Sequence, residues 1–132
     1  MAFPFEQLMQ DLAAYLQTPL GLERGVYSLT VPLADGRHQD VFATIRRTED
    51  GRDVIDFVST VGPVRPGIDA WNLLETNGRA TFTRITVERG IIFVVATQLL
   101  ATAQPEEVLL MLREVAQVAD QLEHDFFQKD EF

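Results

Sequence analysis

The side chains able to carry acid–base, metal or nucleophilic chemistry are few in this sequence, and their spacing assembles no familiar machinery. His38 and His124 are the only imidazoles. Neither sits in an HExxH or other metal-ligand spacing, so both read as surface residues. Glu123 and Asp125 flank His124, but neighbouring residues of a helix point in different directions and do not converge. The absence of cysteine excludes disulfides and thiolate metal sites. No GxSxG, Walker or dinucleotide pattern occurs, and "GPVRPG" (62–67) lacks the lysine and spacing of a phosphate loop, so it reads as a connector. Arg46 and Arg47 are strand neighbours facing opposite sides. The expectation is a non-enzyme with no cofactor and no metal. The rival reading is a small-molecule-binding α+β domain, or an enzyme of unassigned activity, with Asp56 or Arg84 as polar anchors.

Charge narrows the partners. A formal net charge of -9, with Lys129 the only lysine, opposes phosphate-backbone binding and argues against nucleic acid. From Ala103 onward eight acidic residues (Glu106, Glu107, Glu114, Asp120, Glu123, Asp125, Asp130, Glu131) face only Arg113 and Lys129, a solvated face and tail or a surface for a basic partner. "MAFPFEQLMQDL" has neither the basic start nor the apolar run of a signal peptide, and Gly90 to Ala103 is too short to cross a bilayer. The expectation is a soluble cytoplasmic protein without a membrane partner. A 132-residue chain with 46% hydrophobic residues suits one domain, residues 1–132.

Hydrophobic periodicity predicts the elements that position these residues. Phe5, Leu8, Met9, Leu12, Tyr15 and Leu16 form one stripe of a helix that Pro19 and Gly21 end. "VYSLTVPL" alternates as a half-buried strand, with Pro32 suited to an edge or a strand end. Asp35-Gly36 then favours a tight turn into a strand over Val41–Arg46. Asp50-Gly51 leads to "VIDFVSTV", the third strand of an antiparallel meander. Pro66 opens a short helix with Ile68, Trp71 and Leu74 on one face, closed at Asn77-Gly78. "RATFTRIT" and "GIIFVVATQ" follow as two strands joined over Val87–Gly90. Pro105 starts a helix of about six turns, at ~3.6 residues each, with core stripe Val108, Leu112, Val115, Ala119, Leu122 and Phe126. The fold class is therefore α+β, ordered α-β-β-β-α-β-β-α, around a mainly antiparallel five-stranded sheet.

The run Ile91 to Ala96 is apolar on both sides, Ile91, Phe93 and Val95 on one and Ile92, Val94 and Ala96 on the other. Either the helices cover both faces of the sheet or one face meets a partner, most simply a second copy of the chain. The candidate interface residues are Phe42, Trp71, Ile92, Phe93 and Val94. Trp71 also reads as core, and Phe126 or Phe127 as packing against a second subunit. A partner segment added to an exposed strand edge, over Tyr27–Leu33 or Ile91–Ala96, is the expected mode of binding, with Phe42, Trp71 and Phe93 as anchors.

This order of elements in a small acidic chain, together with an Asn-containing short helix, two strands and the long helix "PEEVLLMLREVAQVADQLEHDF" with its Ala119, Asp120 and Leu122, resembles the fold of class I type III secretion chaperones and of the related bacterial YbjN proteins. The resemblance spans nearly the whole chain, and its motifs mark packing positions. It implies a homodimer that holds or senses another polypeptide, as a chaperone or as a regulator of signalling.

Overall fold

The computed structural model describes residues 3–128, so Lys129, Asp130 and Glu131 of the acidic terminal run lie outside the described residues. Helix α1 spans Phe3–Leu16, followed by strands β1 (Gly21–Glu23), β2 (Val26–Pro32), β3 (His38–Arg47) and β4 (Asp53–Pro63). Helix α2 spans Ala70–Arg79, then come β5 (Arg84–Glu88), β6 (Ile91–Leu99) and α3 (Pro105–Glu123), which runs on into a π-helical turn over His124–Gln128. All strand pairs are antiparallel, in the order β1-β2-β3-β4-β6-β5.

The sheet has six strands where periodicity predicts five. The extra one, β1, is three residues long and too short to show an alternation. It is joined to β2 through Arg24 (φ 53) and Gly25 (φ 79), a two-residue turn with both centres left-handed. Such primed turns match the twist of paired strands, and Arg89 (φ 51) with Gly90 (φ 77) joins β5 to β6 in the same way. Helix α1 stops without help from Pro19: Gln17 takes a left-handed φ of 54, and the Thr18 N–H closes on the Ala13 carbonyl.

All the helices lie on one side of the sheet. The core is the layer between them, with Leu8, Met9, Leu12, Leu29, Val41, Ile55, Phe57, Ile92, Val94, Val108, Leu112 and Val115 among its residues. Inward positions alternate along each strand as the pleat requires. Tyr15, placed in the α1 stripe by its spacing, is 54% exposed, and Ala13 takes its place inside. In α3 the predicted stripe is buried to Leu122, with Met111 and Ala116 added and Phe126 half-buried.

Helix α2 departs most from expectation. It begins at Ala70 with Asp69 as its cap, accepting from the Trp71 N–H at 2.9 Å, and none of its residues is buried. The stripe splits: Ile68, ahead of the helix, packs partly buried against the core, whereas Trp71 is 75% and Leu74 60% exposed. Leu73 is the α2 residue that packs against the core, and a polar anchor adds to it. Asn77 Oδ1 accepts the Ile85 N–H at 2.6 Å while its Nδ2 donates to the Ile85 carbonyl at 3.4 Å, so one side-chain amide stands in for a neighbouring strand.

The predicted strand over Arg79–Thr86 begins only at Arg84. Residues 81–83 instead turn around the Glu114 carboxylate of α3, which accepts the N–H groups of Thr81 (3.1 Å), Phe82 (2.7 Å) and Thr83 (2.9 Å) and the Thr83 hydroxyl (2.9 Å).

Candidate functional site: the uncovered face of the sheet

Because the helices share one side, the other face of the sheet has no covering layer among the described residues. Register places Phe42, Val58, Val95 and Arg84 in one row across β3, β4, β6 and β5. Thr60, Phe93 and Thr86 form the next. The result is an apolar strip, with Phe42 41% exposed and Val58 and Phe93 half-buried, on a face where antiparallel sheets normally carry polar residues.

A polar ladder borders the strip. Arg46 donates to both oxygens of Asp56, through Nε and at 3.3 Å through Nη2. Thr97 Oγ1 donates to Asp56 Oδ1 at 2.7 Å, and Arg84 Nη1 donates to Thr97 Oγ1 at 3.0 Å. The bond and charge of Asp56 hold the Arg46 guanidinium above its ordinary pKa, so it is a permanent cation. Arg46, Asp56 and Arg84 of this ladder and Val58, Phe93 and Val95 of the strip line an open groove of ≈ 370 Å³ that also meets Thr86 and Glu88. Asp56 and Arg84, the proposed anchors of a small-molecule site, do come together through Thr97, but in a shallow groove rather than an enclosed pocket.

A second hollow of ≈ 330 Å³ opens beside Phe42. The β3–β4 ladder runs from Arg47–Asp53 to Phe42–Val58 and no further, although both strands continue. Beyond that point the strands part, and β4 is paired only with β6 across a bulge at Val61. The resulting slot is lined by His38, Asp40, Phe42 and Thr60 from the uncovered face and by Gln39, Ser59 and Glu123 from the helix side. Gln39 Nε2 donates to Ser59 Oγ (3.0 Å) and to Glu123 Oε1 (2.7 Å), and Ser59 Oγ donates to the Asp40 carbonyl (2.8 Å). Burial, opposed by the Gln39 bond and assisted by the charge of Asp120, pushes the Glu123 carboxyl above the ordinary glutamate range. The sequence does carry a signal for this slot: Gln39 and Ser59 occupy inward positions in strands whose other inward residues are apolar.

The candidate interface residues separate into three places. Phe42 and Phe93 lie on the uncovered face. Trp71 lies on the outer side of α2, where Leu74 and, on β5, Val87 (55%) are also exposed. Ile92 and Val94, both 0% exposed, belong to the core beneath the helices and present nothing to a partner. Phe127 packs within its own chain: its ring lies where a Cβ on Gly62 would stand, 2.8 Å away, and carries the Arg65 guanidinium 4.5 Å above its centroid.

The edges are less available than the face. β6 is interior, paired on both sides. The outer edge of β5 is occupied at Ile85 by Asn77, and that of β2 is covered at Val26–Ser28 by β1 and lacks an N–H at Pro32. Strand addition over Ile91–Ala96 is therefore excluded by the topology, and over β2 little beyond Thr30 is open. Among the described residues no group of His, Asp or Glu is placed to hold a metal ion, and no helix is long and apolar enough to cross a membrane.

No family model and no curated protein sequence matches the chain. Solved structures do. The chain is similar to one in the HopA1-SchA chaperone-effector complex, with a TM-score of 0.66 at 10% identity, over 92% of this chain and 94% of the other. It is also similar to one in the structure of the Yersinia pestis type III secretion chaperone SycH with a stable fragment of YscM2, with a TM-score of 0.64 at 11% identity, over 89% and 98%. The fold is thus the α+β fold of type III secretion chaperones.

Proposed function

We propose that the chain is a non-enzymatic protein-binding module, chaperone-like or regulatory, that acts as a homodimer and holds an extended polypeptide segment on the uncovered face of its sheet. The observation that carries this reading is the apolar strip of Phe42, Val58, Phe93 and Val95 on a face no helix covers. A buried apolar layer lies behind it. Both similar structures are complexes of a chaperone with another polypeptide, which supports the same reading. Blunted edges favour docking on the face over strand addition. A net charge of -9 keeps a module soluble while it presents apolar surface, and it opposes nucleic acid as the partner.

The homodimer rests on α2 and β5. Trp71, Leu74 and Val87 are large, exposed and lie on neighbouring elements, and burying each contributes about 1.5–3 kcal/mol. A two-fold pair would shield this patch on both copies at once. Light scattering at micromolar concentration checks it: a dimer mass is expected for the native chain and a folded monomer for Trp71→Asp. A native chain of monomer mass overturns it.

A second reading is favoured by the ladder of Arg46, Asp56, Thr97 and Arg84 over an apolar floor, which has the make-up of a small anionic metabolite site. A thermal-shift screen separates the two, since saturable stabilisation by a metabolite supports the small-molecule binder.

A further inference from the structure

The polar lining of the slot between β3 and β4 is weighted toward acceptors, with the His38 imidazole and the Thr60 hydroxyl as its remaining side-chain donors. Gln39 Nε2 has two protons, and they go to Ser59 and Glu123, while the Ser59 hydroxyl proton goes to the Asp40 carbonyl. Both donors deepest in the slot are therefore spent. Apart from those two rim donors, acceptors remain. Gln39 Oε1 and Glu123 Oε2 take part in no other hydrogen bond among the described residues, and the Asp40 carboxylate at the rim accepts only from the Thr30 hydroxyl, at 3.1 Å. A cavity that presents the carboxylates of Asp40 and Glu123 and an amide oxygen complements a group that carries several N–H bonds and a positive charge.

The slot opens next to Phe42, at one end of the apolar strip. A chain lying on the strip with alternate side chains down would present its next inward side chain there. We infer that the slot receives a lysine or arginine side chain of the bound polypeptide segment, its charged head reaching Glu123 and Gln39 while adjacent apolar side chains of the segment rest on Phe42, Val58 and Phe93. This rests on the protein-binding reading and adds the chemistry of the segment: an apolar residue followed, at the next inward position, by a cation.

The test uses three fluorescein-labelled synthetic peptides, each alternating leucine and serine, with lysine, norleucine or glutamate at the central inward position. Anisotropy titrations are run against the native chain, Glu123→Gln and Phe93→Ser, and methyl spectra report the site. The lysine peptide is expected to bind at least 5-fold more tightly than the norleucine peptide and to discriminate still more strongly against glutamate. Glu123→Gln, which keeps an oxygen for Gln39, should erase the lysine preference without weakening the norleucine peptide. Asp40→Asn, at the exposed rim, should reduce the preference with the fold intact. Phe93→Ser should weaken all of them. Equal binding of the lysine and norleucine peptides, with Val58 and Val95 methyls shifted, overturns the slot and leaves the face as the docking site. Absence of any shift on the face with all three peptides overturns both.

Discussion

Glu114 gives the sharpest test of how the fold is tied together. One carboxylate of α3 holds three successive backbone N–H groups and a hydroxyl of the segment entering β5. Burial pushes its pKa up, but the bonds from Phe82, Thr81 and Thr83 outweigh that and hold it below the ordinary glutamate value. Hydrogen bonds to a charged group contribute about 1.5–3 kcal/mol each when buried, and solvent exposure at this site places the expectation for Glu114→Ala lower, at about 2–3 kcal/mol in total. Glu114→Gln is the informative partner. Its Oε1 can keep the bonds from Phe82 and Thr83, but its amide would present N–H to the Thr81 N–H, so a loss of about 1 kcal/mol is expected. The pH dependence follows from the sign of the shift. With the folded pKa below the unfolded one, the stabilisation is fully present above the unfolded glutamate pKa and is lost as pH falls through the folded value. Urea unfolding followed by far-UV circular dichroism, at pH 7 and at steps down to pH 3, measures all of this. A loss below 0.5 kcal/mol for Glu114→Ala (against the ~1 kcal/mol of a typical neutral bond), or an acid slope unchanged by Glu114→Gln, refutes the reasoning.

Val94→Asp places a carboxylate in the fully buried layer under α3, and it should leave the chain unfolded by circular dichroism, since an unpaired buried charge costs more than about 4 kcal/mol. Gly62→Ala should cost about 1–2 kcal/mol, because its Cβ would meet the Phe127 ring and its φ of 157 is one that L side chains rarely adopt, and in a double-mutant cycle only the ring's share of that penalty should vanish when Phe127 is also Ala. Glu123 has the opposite sign to Glu114: its raised folded pKa means stability falls as pH rises from the ordinary glutamate value through the folded one, and Glu123→Gln should flatten that part of the denaturation-versus-pH curve.

Much of the architecture was legible because apolar spacing changes period cleanly along the chain. The α1 and α3 stripes, the meander and the paired last strands follow from it directly. Periodicity cannot say which way a stripe faces, however. Ile68, Trp71 and Leu74 are spaced as one helix face, yet Ile68 lies ahead of the Asp69 cap and packs against the core, while α2, held by Asn77 to the edge of β5, turns Trp71 and Leu74 outward. The doubly apolar β6 has a mixed answer: Ile92, Val94 and Ala96 form core, while Phe93 and Val95 belong to the uncovered face. Val95 is only 7% exposed there, in a row between Val58 and Arg84, so neighbouring side chains shade what no helix covers. Alternation sets Phe93 on the side opposite Ile92 and Val94 but does not say which side the helices cover, so all three stand together as candidates in the sequence. The slot was not legible, since it depends on β3 and β4 parting beyond Phe42–Val58. Only inward-pointing Gln39 and Ser59 hint at that in the sequence.

The claim on which the account turns is that the uncovered face binds protein, and methyl-labelled spectra of the chain with a partner captured from its native cell test it most directly. Val58 and Val95 report the face, and Ile55, Ile92 and Val94 report the core behind it. The account predicts that the partner shifts Val58 and Val95, leaves the core methyls in place and is itself held extended and chemically unchanged. Shifts confined to other surfaces, or a partner that moves neither Val58 nor Val95 while a metabolite saturably moves both, would contradict it.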